Sequence, residues 1–229
     1  MARILKHEEH MAKRNEILNA AQKLVYTKGY ELMAIQDILN ELGISKGNFF
    51  HYFTSKQAML EALIEKHMDE GESHLAPVVK DEKLSAVEKL NKYFVIAAKW
   101  KTGQKEYLIN LMRIWYSDGN AIVRQKMLSS STKRIAPMLD SIILQGVSEG
   151  TFKPAYPELA GEIMLSLIQN CWDRMAGILL ANIQRSDSSR QMKETIAAYT
   201  DSIEKVLGVP TSTFKLIDYE TIDVWLNAD

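Results

Sequence analysis

The sequence predicts an all-α fold in two parts: a three-helix N-terminal domain over residues 1–56 and a helical bundle over residues 57–229. Three observations predict it. Apolar residues recur at helical spacing along the chain, and no stretch alternates apolar with polar residues as a half-buried strand must. Helix-breaking clusters separate the periodic stretches, at Gly103, Asp118-Gly119, Gly150 through Pro157 and Ser186 through Ser189. Residues 43–56, Gly-Ile-Ser-Lys-Gly-Asn-Phe-Phe-His-Tyr-Phe-Thr-Ser-Lys, carry the punctuation of a tight turn between two short helices, a helix-turn-helix.

The first helix is expected over 8–27, with Ile17, Ala20, Ala21, Leu24 and Val25 as its inner stripe, ending before Gly29. Lys13 and Arg14, near its start, are either phosphate contacts or solvated charges. A second helix over 34–42 (Ile35, Ile38, Leu39, Leu42) runs into Gly43, which suits a left-handed helix end. Ser45 then caps a third, Lys46 to Tyr52. Phe49 and Phe53, four apart, share one side of it, while Gly47, Asn48, His51 and Tyr52 share the other. A helix entering a major groove needs small or hydrogen-bonding residues near base edges and cations along its flanks for phosphates. The candidate DNA-contacting residues are therefore Ser45, Lys46, Gly47, Asn48, Phe50, His51, Tyr52 and Lys56.

Ser55 caps a fourth helix over 56–75, apolar along Met59, Leu60, Leu63, Ile64 and Met68 and stopped by Pro77. His67 and His74 on its later turns are either sensors or ordinary partly buried or solvated histidines. Further helices are expected over 84–101, 105–117, 121–148, 156–184 and 188–207. The segment from Val209, with Phe214, Leu216, Ile217, Tyr219, Ile222, Val224, Trp225 and Leu226, is too apolar for a loose end and is expected to pack back onto the bundle.

Residues 13–56 resemble the DNA-binding domain of the tetracycline-repressor (TetR) family of bacterial transcription regulators. Ile17-Leu18-Asn19-Ala20-Ala21-Gln22-Lys23-Leu24-Val25, Lys28-Gly29-Tyr30 and the run from Gly43 to Lys56 fill that family's spaced positions. Three places depart from its pattern. Met33-Ala34 stand where a Thr followed by Ser or Thr is usual, Phe50 replaces a tyrosine, and His51-Tyr52 reverses the usual order. The resemblance implies a dimeric regulator, most often a repressor, reading a palindromic operator, with the fourth helix joining the reading head to an effector-binding body. Half-sites one helical turn apart demand two-fold symmetry in the protein.

Aromatic residues and methionines gather in the middle of the body, and such a group either lines an apolar pocket or is simply core. Because effectors in this family lie between the fifth to eighth helices, the resemblance favours a pocket for a small apolar or amphipathic effector. Its candidate lining is Trp100, Met112, Trp115, Tyr116, Met164, Ile168 and Trp172. In the last helix Met192, Ile196, Tyr199 and Ile203 recur at spacings of four and three, and the preceding helix is apolar around much of its circumference. With Met175 and Leu179 they are the candidate homodimer seam, since family members pair through these two helices.

Composition excludes little. Charged residues make up 25% and hydrophobic ones 46%, ordinary for a globular chain. Net charge is -1, yet residues 1–56 hold eight Lys/Arg against six Asp/Glu plus three histidines, a weak asymmetry of the sign DNA demands. No signal core or membrane-length apolar run is present and Cys171 is the single cysteine, so the reading is a cytoplasmic protein without an internal disulfide. There is no glycine-rich phosphate loop, metal-spaced cluster or paired-carboxylate constellation, so neither catalysis nor a cofactor or metal is expected. The competing readings are a helical adaptor, or an all-α enzyme, that keeps the helix-turn-helix as a packing unit without binding DNA.

Overall fold

The computed structural model describes residues 2–102, 115–181, 185–218 and 222, and every regular element among them is helical. The α-helices are α1 (Ala2–Lys28), α2 (Ile35–Leu42), α3 (Lys46–Tyr52), α4 (Lys56–Lys80), α5 (Ala86–Thr102), α6 (Ala121–Arg134), α7 (Ala136–Ser148), α8 (Ala160–Leu180) and α9 (Arg185–Leu207). A 3-10 turn, Asp118–Asn120, precedes α6. Most of the helix expected over 105–117 lies outside the described residues. The chain forms two compact units: Met1–Asp69 with Arg113–Ser130, and Glu70–Met112 with Ser131–Asp229. The first unit is thus larger than the 1–56 domain read from sequence, taking in the first half of α4 and most of α6.

In the first unit Ile17, Leu18, Ala21 and Val25 of α1 close against Ile38 and Leu39 of α2, Phe49 of α3, Phe53 after it, and Met59 and Leu63 of α4. Each fully buried side chain of this size contributes about 1.5–3 kcal/mol, so burial rather than helix propensity holds α2 and α3, of eight and seven residues, in place. Ala34 has no side-chain oxygen with which to cap α2. Only the reciprocal half of a capping box is made, the Ala34 N–H donating to the Asp37 carboxylate at 2.7 Å. The Lys28 ammonium, also bonded to Asp37 at 2.7 Å, and then this N–H hold that carboxyl below its ordinary pKa. Gly43 ends α2 in the left-handed conformation, φ 61°.

Two of the differences from expectation lie at prolines. Helix α4 does not stop at Pro77 but runs on to Lys80. Leu75 and Val79 on either side of the proline pack into the second unit's core, and the 4%-exposed Lys89 donates from Nζ to the Val79 carbonyl at 2.6 Å. Packing and that bond offset the one hydrogen bond Pro77 cannot make. Conversely, the single helix expected over 121–148 is two, because Pro137 has no N–H to offer the Lys133 carbonyl and the ladder is interrupted around Ile135.

The second unit is built on Leu90 and Phe94 of α5, Leu139, Ile142 and Ile143 of α7, Met164 and Ile168 of α8, and Met192, Ile196 and Ile203 of α9. Phe152 lies against Gly146, where a Cβ would come within 2.1 Å of its ring. As expected, Phe214, Leu216, Ile217 and Ile222 beyond α9 pack into this core, while Tyr219, Val224, Trp225 and Leu226 lie outside the described residues. Tyr93 is buried there too, and burial pushes its phenol up to about 12 from 10.0. A raised folded pKa means the neutral phenol is favoured by folding, so its contribution is complete below pH 10 and lost as pH rises towards 12. Tyr93→Phe is therefore expected to flatten the fall in stability between pH 10 and 12, measured by denaturant melts across that range.

Candidate nucleic-acid interface

Helix α3 begins at Ser45, whose hydroxyl accepts the Asn48 N–H at 3.2 Å, and ends with the Phe53 N–H donating to the Phe49 carbonyl at 3.1 Å. With Phe49 fully buried and Phe53 nearly so, the rotation of the helix is set. Ser45, Lys46, Gly47, Asn48, Phe50 and His51 are consequently all exposed, while Tyr52 is half-buried. Six of the eight candidate contacts are thus solvent-facing, and they present small, amide, imidazole and ammonium groups together with the phenyl ring of Phe50.

Sequence alone missed part of this surface. His10 of α1 brings its ring 4.7 Å from Tyr52 and 5.6 Å from His51, extending the face by a third polar ring. The signal was a histidine two turns before the apolar stripe of α1, indistinguishable from a solvated one. Arg14 lies over the Phe53 ring at 5.2 Å, and Lys13 pairs with Glu16 at 2.6 Å. Lys56 turns back. Its Nζ lies 4.3 Å from the Tyr30 ring centroid and 3.3 Å from the Glu31 carbonyl, and burial lowers its pKa.

A second feature of the first unit was invisible to sequence reading. The turn at 117–120 docks on the α1–α2 connection, with the Glu31 N–H donating to the Gly119 carbonyl at 3.1 Å and the Tyr30 N–H to Asn120 Oδ1 at 2.7 Å. Arg124 of α6 donates to the carbonyls of Trp115 and Ser117. Trp115 itself packs with Leu60, Ile64 and Val123. Asn120 is fully buried, so Asn120→Ala leaves the Tyr30 N–H without its partner, at a cost of about 1–3 kcal/mol. The expected result is faster hydrogen exchange at the Tyr30 and Glu31 amides and a lower melting temperature.

Residues 17–63, the three-helix head with its exposed α3 face, match the family of bacterial regulatory proteins of the tetR type, and residues 110–178 match a tetracyclin repressor-like C-terminal domain. The chain belongs to the TetR family of transcriptional regulators. Among similar proteins is the uncharacterized HTH-type transcriptional regulator YfiR of Bacillus subtilis, 28% identical over 157 residues, covering 66% of this chain and 73% of YfiR. Two solved structures share the fold. Reduced Escherichia coli NemR has a TM-score of 0.60 at 18% identity over 87% of this chain and 99% of NemR. The SmeT–triclosan complex has 0.62 at 18% identity over 90% of this chain and 98% of SmeT. TetR-family proteins are regulators, not enzymes. Among the described residues no helix is long and apolar enough to cross a membrane.

In this TetR-family regulator the described residues among those expected to line an effector pocket are divided between the two units. Trp115 and Tyr116 are half-buried in the first unit, Tyr116 with Arg124 over its ring at 5.7 Å. Met164, Ile168 and Trp172 belong to the second. Met112 and the Trp100 side chain lie outside the described residues. Ile168 and Trp172 do line a common cavity, small and mostly enclosed, with Phe94, Cys171, Leu216 and Ile217.

Four of the six seam residues are buried inside the single chain. Met175, Met192, Ile196 and Ile203 are at most 3% exposed within the single chain, and Leu179 and Tyr199 pack partly buried against the same core. The spacing of four and three is real, but that stripe faces the subunit's own interior. The faces of α8 and α9 turned to solvent carry Ile163, Ser166, Asn170 and Gly177, and Arg190, Glu194 and Ala198. Shorter and more polar side chains there produce no sequence stripe of the kind that reveals a seam.

Proposed function

We propose that this TetR-family chain is a repressor that acts in the cytoplasm as a homodimer, reading a palindromic operator through α3 and responding to a small apolar or amphipathic effector held in the second unit. The observation that carries the reading is the rotation of α3. Two phenylalanines fasten it to the head while Ser45, Lys46, Gly47, Asn48 and His51 face solvent. Lys46 meets phosphate, Asn48 and His51 supply donors and acceptors for base edges, and Gly47 lets the backbone approach. Lys56 leaves Tyr30 for phosphate only on docking. The half-buried Tyr52 offers its hydroxyl at the rim, and Phe50, with no hydroxyl, packs against sugar.

The homodimer joins through the solvent-facing sides of α8 and α9, where Gly177 and Ala198 permit close approach. Effector binding is transmitted through α4 and the 115–124 segment, which is tied to the head at Tyr30 and Glu31. A coupling of about 1–3 kcal/mol, roughly 5–150-fold in operator affinity, is ordinary for such a switch. That SmeT forms a complex with triclosan supports a small-molecule effector in this fold. The test is binding to DNA upstream of the chain's own coding region across a salt series. Specific retention that weakens steeply with added salt supports the reading, because phosphate contacts release counterions. Equal, salt-insensitive behaviour towards any DNA means the head is a packing unit only.

A further inference from the structure

Beyond α9 the chain turns at Gly208 and then passes Ser212, which has φ 65° and is the only non-glycine with positive φ among the described residues. Three N–H groups hold the segment from Ser212 to Lys215 in place, and all three donate to side chains. Ser212 and Phe214 donate to the two oxygens of Glu204, at 3.1 and 3.0 Å, and Lys215 to Asn91 Oδ1 at 3.4 Å. Glu204 is only 3% exposed. Inward of this segment lies a small, mostly enclosed cavity lined by Phe94, Ile168, Cys171 and Trp172, about 10 Å³ in volume and hence no larger than a water molecule. Outward lies a groove of about 490 Å³ that includes Ile196, Thr200, Asp201 and Glu204. Leu216 and Ile217 line both. Two side chains of the tail are thus the partition between an open groove and an apolar interior.

We propose that residues 212–218 are an internal occupant of the effector site, and that the effector is an amphipathic amine that displaces them. This rests on the reading that the second unit takes an effector. The tail's own contacts dictate the chemistry of the ligand. Lifting Leu216 and Ile217 joins the cavity to the groove and leaves an apolar slot faced by Phe94, Ile168 and Trp172, which an alkyl or aryl body fills. It also strips Glu204 of two N–H donors, and a buried carboxylate without partners is costly. The incoming molecule must therefore bring N–H donors, and a positive charge answers the carboxylate best. An anionic amphiphile of the same length meets the Glu204 carboxylate and is refused; Asp201 beside it is already paired with Lys205 at 2.6 Å. The tail meets these demands with its own backbone N–H groups and aliphatic side chains.

Lys215 sits within the segment, so trypsin cleaves after it only when the tail has left its seat. The experiment uses the full-length protein with dodecylamine below its micelle concentration, and dodecanoate as the anionic counterpart. Affinity is read by calorimetry, cleavage after Lys215 by intact mass, and helix content by circular dichroism. The expected result is that dodecylamine binds at least about tenfold tighter than dodecanoate and accelerates formation of the 1–215 product at least about tenfold, with helix content unchanged. Glu204→Gln, which keeps one acceptor oxygen, should weaken dodecylamine about tenfold, and Leu216→Ala with Ile217→Ala should speed cleavage without ligand. No binding of dodecylamine, equal binding of dodecanoate, or binding with unchanged cleavage after Lys215 overturns the proposal. Operator retention is measured separately, so a failure here with operator binding intact leaves the regulator reading standing.

Discussion

Lys46→Glu is expected to lower operator affinity by roughly 30–1000-fold while leaving the melting temperature within about a degree of the parent. The side chain is exposed, and its Nζ lies 5.9 Å from the Phe50 ring, itself 41% exposed, so no core contact is lost. Surface changes of this kind alter stability by about 0.5 kcal/mol or less. In the proposed operator complex the same change removes a cation that meets phosphate and puts an anion in its place, worth about 1–2 kcal/mol per head. The proposed dimer carries the substitution twice, once in each head, so independent losses add to about 2–4 kcal/mol. Fluorescence anisotropy with labelled operator at two salt concentrations measures it, and the salt slope should fall alongside the affinity. A loss below threefold, or a melting drop that accounts for the binding loss, would assign Lys46 no place on the interface.

The largest effect on stability is expected from Gly208→Ala. Gly208 has φ 63°, where an alanine costs about 1–2 kcal/mol from its own backbone. Its Cβ would also stand 2.4 Å from the Lys153 carbonyl oxygen and 2.8 Å from the carbonyl carbon. Backbone cannot rotate away as a side-chain end can, and Lys153 is itself fastened by its N–H to the Leu207 carbonyl at 2.7 Å. Relief requires parting the two segments, which disturbs the buried Phe152 and Phe214 rings, 6.1 Å apart beside them. A loss of about 3–4 kcal/mol, or roughly 10 °C in melting temperature for a chain of this size, is expected. Gly150→Ala supplies the control. Its φ is 72° but nothing lies within 4 Å of the added Cβ, so only the backbone part, about 1–2 kcal/mol, should be seen. Equal losses at the two glycines would show that the contact with Lys153 is not rigid.

The head was legible because its signals are local. Gly43 as a left-handed end, Ser45 as a cap and the four-residue spacing of Phe49 and Phe53 each act within one or two turns of helix, and together they dictate which side of α3 meets water. His10 was not legible as part of that face, because its place beside His51 and Tyr52 depends on how α1 crosses α3, across some forty intervening residues. The same holds for Asn120, whose bond to Tyr30 spans ninety positions. Pro77 misled because a proline's local cost was weighed without the core that receives Leu75 and Val79 and without Lys89, which caps the final turn of α4 from α5.

By itself, then, the sequence determined the helical fold, the regulator family and the outward face of the reading helix, all of which follow from periodicity, caps and turns. It also determined that Met192, Ile196 and Ile203 form one apolar stripe. Only the tertiary structure decided that this stripe points into the subunit and that Leu216 and Ile217 stand between an open groove and the core. The reason is physical: the hydrophobic effect is non-directional, so an apolar stripe requires a cover without specifying which segment supplies it.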